Sequence, residues 1–343
     1  MHKSSAESCL GCGIDVSAAQ LVVALEGEDG SWRQRSFPNR ASGHQALVRW
    51  LQPNRTRVRV CLEATGLYSL DLALALHAAS GIEVAVLNPK TVNRFAATLC
   101  RSKTDPADAQ VLAEYARRMP FQLWQPPRAI ALQLRAITRH IAALTQQHTR
   151  DSNRLHAASA STASSSCVRQ DLKRSLRDLQ HRAQKMRAAA LALIEQDAEL
   201  RPRFALLLSM PGIGEISALH LLGELALLAP GLTVRQWVAH SGLDPAHHDS
   251  GSSVHRPARI SRAGNRYLRR ALYMPALVAV RHDPHLRAFY QALLTRHKAK
   301  LQALMAVARK MLHAIFGMFR WQSSYDGSRL LPKVELAGLA AAV

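Results

Sequence analysis

The chain reads as a mixed-sheet α/β unit, followed by a helical arm and a mainly helical carboxy-terminal unit. Three observations predict this. Short β-rich runs alternate with turns and helical stretches up to Pro89. From Ala129 onward, apolar residues recur three and four apart, the spacing of one helix face. Beyond Pro202, two helical runs meet at a tight glycine turn, Pro211-Gly212-Ile213-Gly214.

The first run, Gly11 to Val16, and the second, Gln20 to Leu25, are joined by three small residues, which predicts a hairpin. A third strand fits Trp32 to Phe37. Leu47 to Leu51 reads as helix ending at Pro53. Arg57 to Leu62 alternates Arg and Val as a strand, with Glu63 at its C-terminal end. Leu67 to Ala79 is helical and stops at Gly81. Val84 to Leu87 is the next strand, before Asn88-Pro89 and a short helix. The order β-β-β-α-β-α-β-α is that of a ribonuclease-H-like, RuvC-like fold, a mixed sheet flanked by helices.

In the arm, Ile137, Ile141, Leu144, His148 and Leu155 lead to a Ser/Ala-rich break from Ser159 to Ser166. Leu172, Leu176, Leu179, Ala183, Met186, Ala190 and Leu193 then hold a heptad seam. Two antiparallel coiled-coil helices are the simplest arrangement, serving as an intramolecular hairpin or a dimerisation arm. The glycine turn after Pro202 resembles a helix-hairpin-helix element, in which Gly212 and Gly214 expose backbone N–H groups to phosphate. A plain helical packing element is the alternative. The last amphipathic run, from Leu301 to Phe319, is core or interface. The expected division is 1–125, 126–200 and 201–343.

Composition narrows the partners. The chain has 343 residues, with 45 Lys+Arg against 24 Asp+Glu and a formal charge of +21. That excess implies a polyanionic partner, and its spread over several segments points to nucleic acid rather than a membrane surface. No segment approaches the roughly 20 apolar residues needed to cross a bilayer. The start lacks the apolar core of a secretion signal, and five cysteines show no framework spacing, so the expected compartment is the cytoplasm. Cys9 and Cys12 form a C-x-x-C with no second pair at zinc-ribbon spacing, and read as half-buried thiols beside the first strand.

In so basic a chain the positioned acids are informative. Asp15 and Glu63 lie on the first and fourth strands, which are neighbours in a ribonuclease-H-like sheet. Asp105 and Asp108, three apart in Thr104-Asp105-Pro106-Ala107-Asp108, share one side of a starting helix. By itself that pair reads as capping, with Asp105 as N-cap and Pro106 as first helical residue. Phosphodiester chemistry with two metals about 3.5–4 Å apart requires several converging carboxylates.

Three blocks, Gly13-Ile14-Asp15-Val16-Ser17, Glu63-Ala64-Thr65-Gly66 and Lys103 to Asp108, closely resemble the DEDD transposases of the insertion-sequence family numbered one hundred and ten, the Piv/MooV group. The second half is similar to the same family: Pro211 to Gly214, Gly242-Leu243-Asp244-Pro245, Ser250-Gly251, and the basic run Arg259 to Arg269. The resemblance implies that Asp15, Glu63, Asp105 and Asp108 bind Mg²⁺, as a two-metal site. It implies a serine nucleophile joined covalently to DNA, by position Ser250. The stretch after Gly251 is one residue longer than the family pattern, which keeps Ser252, Ser253 and Ser241 as alternatives. A composite site between protomers, a dimer or tetramer on DNA, and direction by a non-coding guide RNA are further implications.

Arg256, Arg259, Arg262, Arg266, Arg269 and Arg270 surround the serine in sequence and are candidate phosphate contacts, since the planar guanidinium donates bidentately. His247, His248 and His255 are a weaker metal candidate than the carboxylates, which suit a hard cation. Two other classes compete with a transposase. One is a RuvC-type nuclease using metal-activated water, and the other is a non-catalytic nucleic-acid-binding protein.

Overall fold

The computed structural model describes residues 9–27, 30–52, 57–99, 104–161, 163–250 and 254–330. The chain divides into two compact units, Met1–Pro126 and Pro127–Val343.

In the first unit, β1 (Leu10–Val16) and β2 (Gln20–Glu26) form the expected antiparallel hairpin. Ser17 closes it, its Oγ donating to the Gln20 carbonyl at 2.8 Å and accepting from the Gln20 N–H at 3.1 Å. Next come β3 (Trp32–Pro38), α1 (Ala41–Leu51), β4 (Val58–Glu63), α2 (Leu70–His77), β5 (Ile82–Leu87), α3 (Pro89–Leu99) and α4 (Asp105–Arg118). The sheet order is β3-β2-β1-β4-β5, with β1, β4 and β5 parallel and β2 and β3 antiparallel. This is a mixed sheet consistent with a ribonuclease-H-like fold. Both sheet faces are covered, which is why β1 is buried on both sides. Cys12, Ile14 and Val16 pack with Leu47, Leu51, Leu72 and Leu76 of α1 and α2. Cys61 and Ala85 face the other way, toward Val92, Leu112 and Ala116 of α3 and α4.

The second unit begins with α5 (Ala129–Ser159) and α6 (Ser166–Glu195), which run back along one another. It continues with α7 (Leu200–Leu208), α8 (Glu215–Leu225), α9 (Val234–Ser241), the hairpin β6 (Pro245–Ser250) and β7 (Val254–Ile260), α10 (Arg266–His282), α11 (Pro284–Thr295) and α12 (Lys300–Trp321). Leu134 of α5 and Ala190 and Ile194 of α6 share one core with Leu207, Leu221, Leu272, Met311 and Ile315. The roots of the long helices are thus continuous with the helices that follow Pro202. At the end of the α6 seam, Ile194 rather than Leu193 takes the buried position. Midway along the pair a polar node replaces apolar packing: the buried Asp151 accepts from Ser175 Oγ and from Gln147 Nε2, both at 2.9 Å. Among the described residues no helix is long and apolar enough to cross a membrane.

Candidate active site

Asp15 sits near the C-terminal end of β1 and Glu63 at the C-terminal end of β4. The two strands are parallel and paired up to Ile14 opposite Leu62, so the acids come next on adjacent strands. Side chains alternate along a strand. Asp15 therefore shares a face with Gly11 and Gly13, and Glu63 shares one with Cys61. That is the face covered by α4. The contacts fix the direction of α4. Gly11 lies against Ala113 and Arg117, whereas Gly13 lies against Ala109, Leu112 and Ala113. The helix thus runs antiparallel to β1 and presents its first turn, with Asp105 and Asp108, at the level of Asp15. Gly13 permits this approach, because a Cβ there would collide with the Ala109 carbonyl oxygen and the Ala113 nitrogen.

The cap of α4 differs from the sequence expectation. Thr104 is the N-cap, extended at φ −147° and ψ 149°, and its side chain accepts from the Ala107 N–H at 3.4 Å. Asp105 is therefore the first helical residue and is not needed as a cap. Asp105 is exposed and Asp108, Asp15 and Glu63 are half-buried. The three elements that carry them meet at one sheet edge, but among the described residues no three His, Cys, Asp or Glu side chains are gathered closely enough to hold a metal ion. The chemistry of the donors still fits one: all are carboxylate oxygens, the set a hard divalent cation takes. A buried side-chain atom lacking a hydrogen-bond partner, Thr65 Oγ1, also lies two residues past Glu63, which favours a polar ligand there. The thiols are poor competitors. Burial pushes Cys61 up to about 12 and raises Cys12 as well, so both stay protonated.

In the second unit, Ser250 ends β6 and pairs with Val254 of β7. Ser252 and Ser253 lie outside the described residues, as do the side chains of Ser250, Arg256, His247, His248 and His255. Ser241 is fully buried, donates to the Val238 carbonyl at 2.7 Å and accepts from the Leu243 N–H at 3.3 Å. Those bonds tie it to the end of α9 and keep it buried.

The root of the β6–β7 hairpin is tied to α9 and α10. Ser261 donates its backbone N–H to the Asp244 carbonyl at 2.8 Å and its hydroxyl to Asp244 Oδ1 at 2.6 Å. The Asn265 N–H reaches the His240 carbonyl at 2.7 Å. Arg269 donates to the Ser241 carbonyl at 2.8 Å, a structural role at the end of α9 that takes it out of an open basic face. Arg259, Arg262, Arg266 and Arg270 are exposed. Gly212 and Gly214 also differ from one another. Gly212, at φ +91°, packs on Pro275 and Ala279 of α10 with no room for a side chain. Gly214 is the exposed N-cap of α8 with open space before it. The positive end of that helix is already met by Glu215, itself paired with Arg187.

Known proteins can now be set beside this geometry. A DEDD family model described as "Transposase" matches residues 12–161, and one described as "Transposase IS116/IS110/IS902 family" matches residues 204–291. The chain belongs to the IS110 transposase family. It is a DNA transposase/recombinase. It is 29% identical over 322 residues to the pilin gene-inverting protein of Moraxella bovis, covering 92% of this chain and 97% of that one. It is 34% identical over 151 residues to the uncharacterized 43.6 kDa protein of insertion element IS110 from Streptomyces coelicolor, or 44% of this chain and 37% of that protein. A further relative is the uncharacterized 44.8 kDa protein of insertion element IS116 from Streptomyces clavuligerus, 28% identical over 337 residues and covering 78% and 83% of the two chains.

The transposase carries one positioning cluster that the sequence patterns did not reveal. Glu224, buried in α8, accepts from Arg139 Nε and Nη2 of α5 at 2.7 and 2.9 Å. It also accepts from Asn265 Nδ2 at 2.6 Å, and Asn265 in turn caps α10 through the Tyr267 and Leu268 N–H groups. The Arg139 guanidinium lies 4.4 Å from the Tyr267 ring centroid. One carboxylate thereby links α5, α8 and the segment that roots the serine hairpin. Burial pushes Glu224 up, but the bonds from Arg139 and Asn265 outweigh it and hold the carboxyl below its usual range. The available signal was a lone acid in the mostly apolar run from Ile216 to Leu228.

Proposed function

We propose that this transposase cuts and rejoins DNA with Ser250 as a covalent nucleophile and Asp15, Glu63, Asp105 and Asp108 as its metal-binding tetrad. The observation that carries this is the seating of α4 on β1 through Gly13, which brings the elements bearing all four acids to one sheet edge. Bound by those carboxylates, divalent cations such as Mg²⁺ would offset charge on the attacking and leaving oxygens. The chain's own part is to attack and to hold. The Ser250 oxygen forms a bond to the scissile phosphorus, the bond from phosphorus to one deoxyribose oxygen breaks, and that oxygen takes up a proton as the serine loses one. The phosphoserine ester conserves the bond energy, so a second strand's hydroxyl can displace the serine and restore it.

Two units have to cooperate in this scheme, which supports a composite site and a dimer or tetramer on DNA. The division into 1–125, 126–200 and 201–343 corresponds to metal-binding, arm and serine-bearing segments, with the coiled-coil arm for assembly. The charge of +21 supports contact with both DNA and a guide RNA. Gly214 and the exposed Arg259, Arg262, Arg266 and Arg270, with Arg256, are the proposed backbone contacts. Gly212 and Arg269 shape their surroundings.

The test is capture of a denaturation-resistant protein–DNA adduct from the full chain supplied with element-end DNA and the transcript of the element's flanks. The adduct is expected with the wild-type chain and lost in Ser250→Ala. An adduct that persists in Ser250→Ala reassigns the nucleophile, and strand cleavage without any adduct favours a hydrolytic nuclease.

A further inference from the structure

At the tetrad edge of the sheet, the first unit also contains a cavity of about 450 Å³ between the β1–β2 turn, the start of α1 and the loop leading into α2. We propose that this cavity takes one unstacked nucleobase next to the cleaved phosphate, with Tyr68 as its stacking platform. The inference rests on the reading of the tetrad edge given above.

Three features support it. The first is placement. Ala18 of the wall is three residues past Asp15, and Leu67 and Tyr68 are four and five past Glu63. Asn39 ties both walls together, its Nδ2 donating to the Ser17 carbonyl at 2.8 Å and the Tyr68 carbonyl at 3.0 Å. Its Oδ1 lies 2.8 Å from His44 Nε2, which anchors it to α1. The cavity rim is therefore fixed to the ends of the same two strands that carry Asp15 and Glu63, on the α1 and α2 side of the sheet, so a base seated there reaches it across the edge from the face that carries the acids.

The second feature is unsatisfied apolar surface. Leu67 is 74% and Tyr68 58% exposed, beside a sheet edge where the chain otherwise presents acids and small residues. An exposed aromatic ring beside an aliphatic one is costly to hydrate and suits the face of a base. Stacking of a base on such a ring contributes about 1–3 kcal/mol and by itself tolerates any base, so Tyr68 holds the base in place while the polar lining reads its edge.

The third feature is the polar lining. Arg40, the exposed residue at the start of α1, lines the same space and offers a guanidinium to the adjoining phosphate. Gln45 and Asp71 line the same space and offer amide and carboxylate groups to base edges. A carboxylate accepts hydrogen bonds from exocyclic amines, so adenine, cytosine or guanine is preferred over thymine at this position. A single base is the committed occupant. An extended duplex would leave the cavity empty.

The experiment randomises the base pairs on either side of the cleaved phosphate in element-end DNA and sequences the joined products made by the full chain with its transcript. Wild-type protein is expected to show a base preference at one flanking position. Tyr68→Ala should flatten that preference at least threefold while other positions keep theirs, and Tyr68→Phe should retain it. If Tyr68→Ala yields no product, the same position is read by 2-aminopurine fluorescence in an Asp15→Asn background. Emission from the bound base that is quenched in the wild-type ring's presence and rises in Tyr68→Ala supports the proposal, and emission unaffected by Tyr68→Ala overturns it. Unchanged preference in an active Tyr68→Ala also overturns it. The two readings fail separately: products from Asp15→Asn would refute the tetrad. An inactive Asp15→Asn with unaltered Tyr68→Ala behaviour refutes the base site alone.

Discussion

Gly13 of β1 lies against Ala109 of α4 so closely that a methyl group on the glycine would collide with the Ala109 carbonyl oxygen. This contact sets the distance between a strand and a helix that each carry site acids. The other glycine of β1 is less tightly held, since a Cβ on Gly11 would come no closer than 3.1 Å to its nearest neighbour.

Gly13→Ala is expected to push the start of α4 off the sheet. Overpacking of this kind costs about 1–3 kcal/mol. Recombination should fall by more than the loss of folded protein explains, because the acids move apart. Gly11→Ala is the control, with a smaller loss of stability and near-normal activity. Thermal unfolding and strand joining measured together distinguish the two.

The alternative serine gives a second prediction. Ser241→Ala removes two buried hydrogen bonds at the end of α9. It should lower stability by about 1 kcal/mol, yet still form the covalent adduct. Loss of the adduct in a folded Ser241→Ala protein would return that serine to the mechanism.

Glu224 is the third. Glu224→Ala leaves Arg139 without its buried partner and frees the Asn265 side chain. Breaking a buried pair from one side costs about 3–5 kcal/mol. Urea unfolding should show that loss, and limited proteolysis should cut the hairpin near residues 245–260 first. Asn265→Ala should reproduce a milder form, since the cap of α10 goes but the ion pair stays.

Acidity tests the same region. Burial lowers the pKa of His220 and His240 from the ordinary 6.5. The unfolded chain therefore binds protons first as pH falls below about 6.5, and stability drops from there. Glu224 acts lower down. Its depressed pKa contributes stability above the ordinary 4.5, and that contribution is lost as pH falls through the folded value. Chemical unfolding from pH 8 to 3.5 should show both steps. Glu224→Gln should shrink the lower one and enlarge the upper, because the Glu224 charge partly offsets the lowering of both histidines.

Much of the first unit was legible because its signals are local. The β1–β2 hairpin, the position of Glu63 at a strand end and the helical start at Asp105 all follow from residues close in sequence. The cap was placed one residue late, at Asp105, because Thr104 and Asp105 are both good capping residues and only the extended backbone at Thr104 decides between them. Glu224 was missed for another reason. Its partners lie 85 and 41 residues away, so nothing in its own helix distinguishes it from a solvated acid. The α5–α6 seam was visible in outline, but a buried Asp151 within it reads locally as an outward-facing residue. Arg269 looked like one more surface cation, and its bond to the Ser241 carbonyl depends on a chain reversal that spacing does not encode.

The central claim is that the edge formed by β1, β4 and the start of α4 does the chemistry. The most direct measurement is adduct formation and DNA binding by Asp15→Asn, Glu63→Gln, Asp105→Asn and Asp108→Asn, each assayed with Mg²⁺ over a range of concentrations. Every variant should bind DNA at least as well as wild type, since each removes negative charge, while covalent adduct falls at least a hundredfold. Wild-type adduct yields in these folded variants would contradict the account.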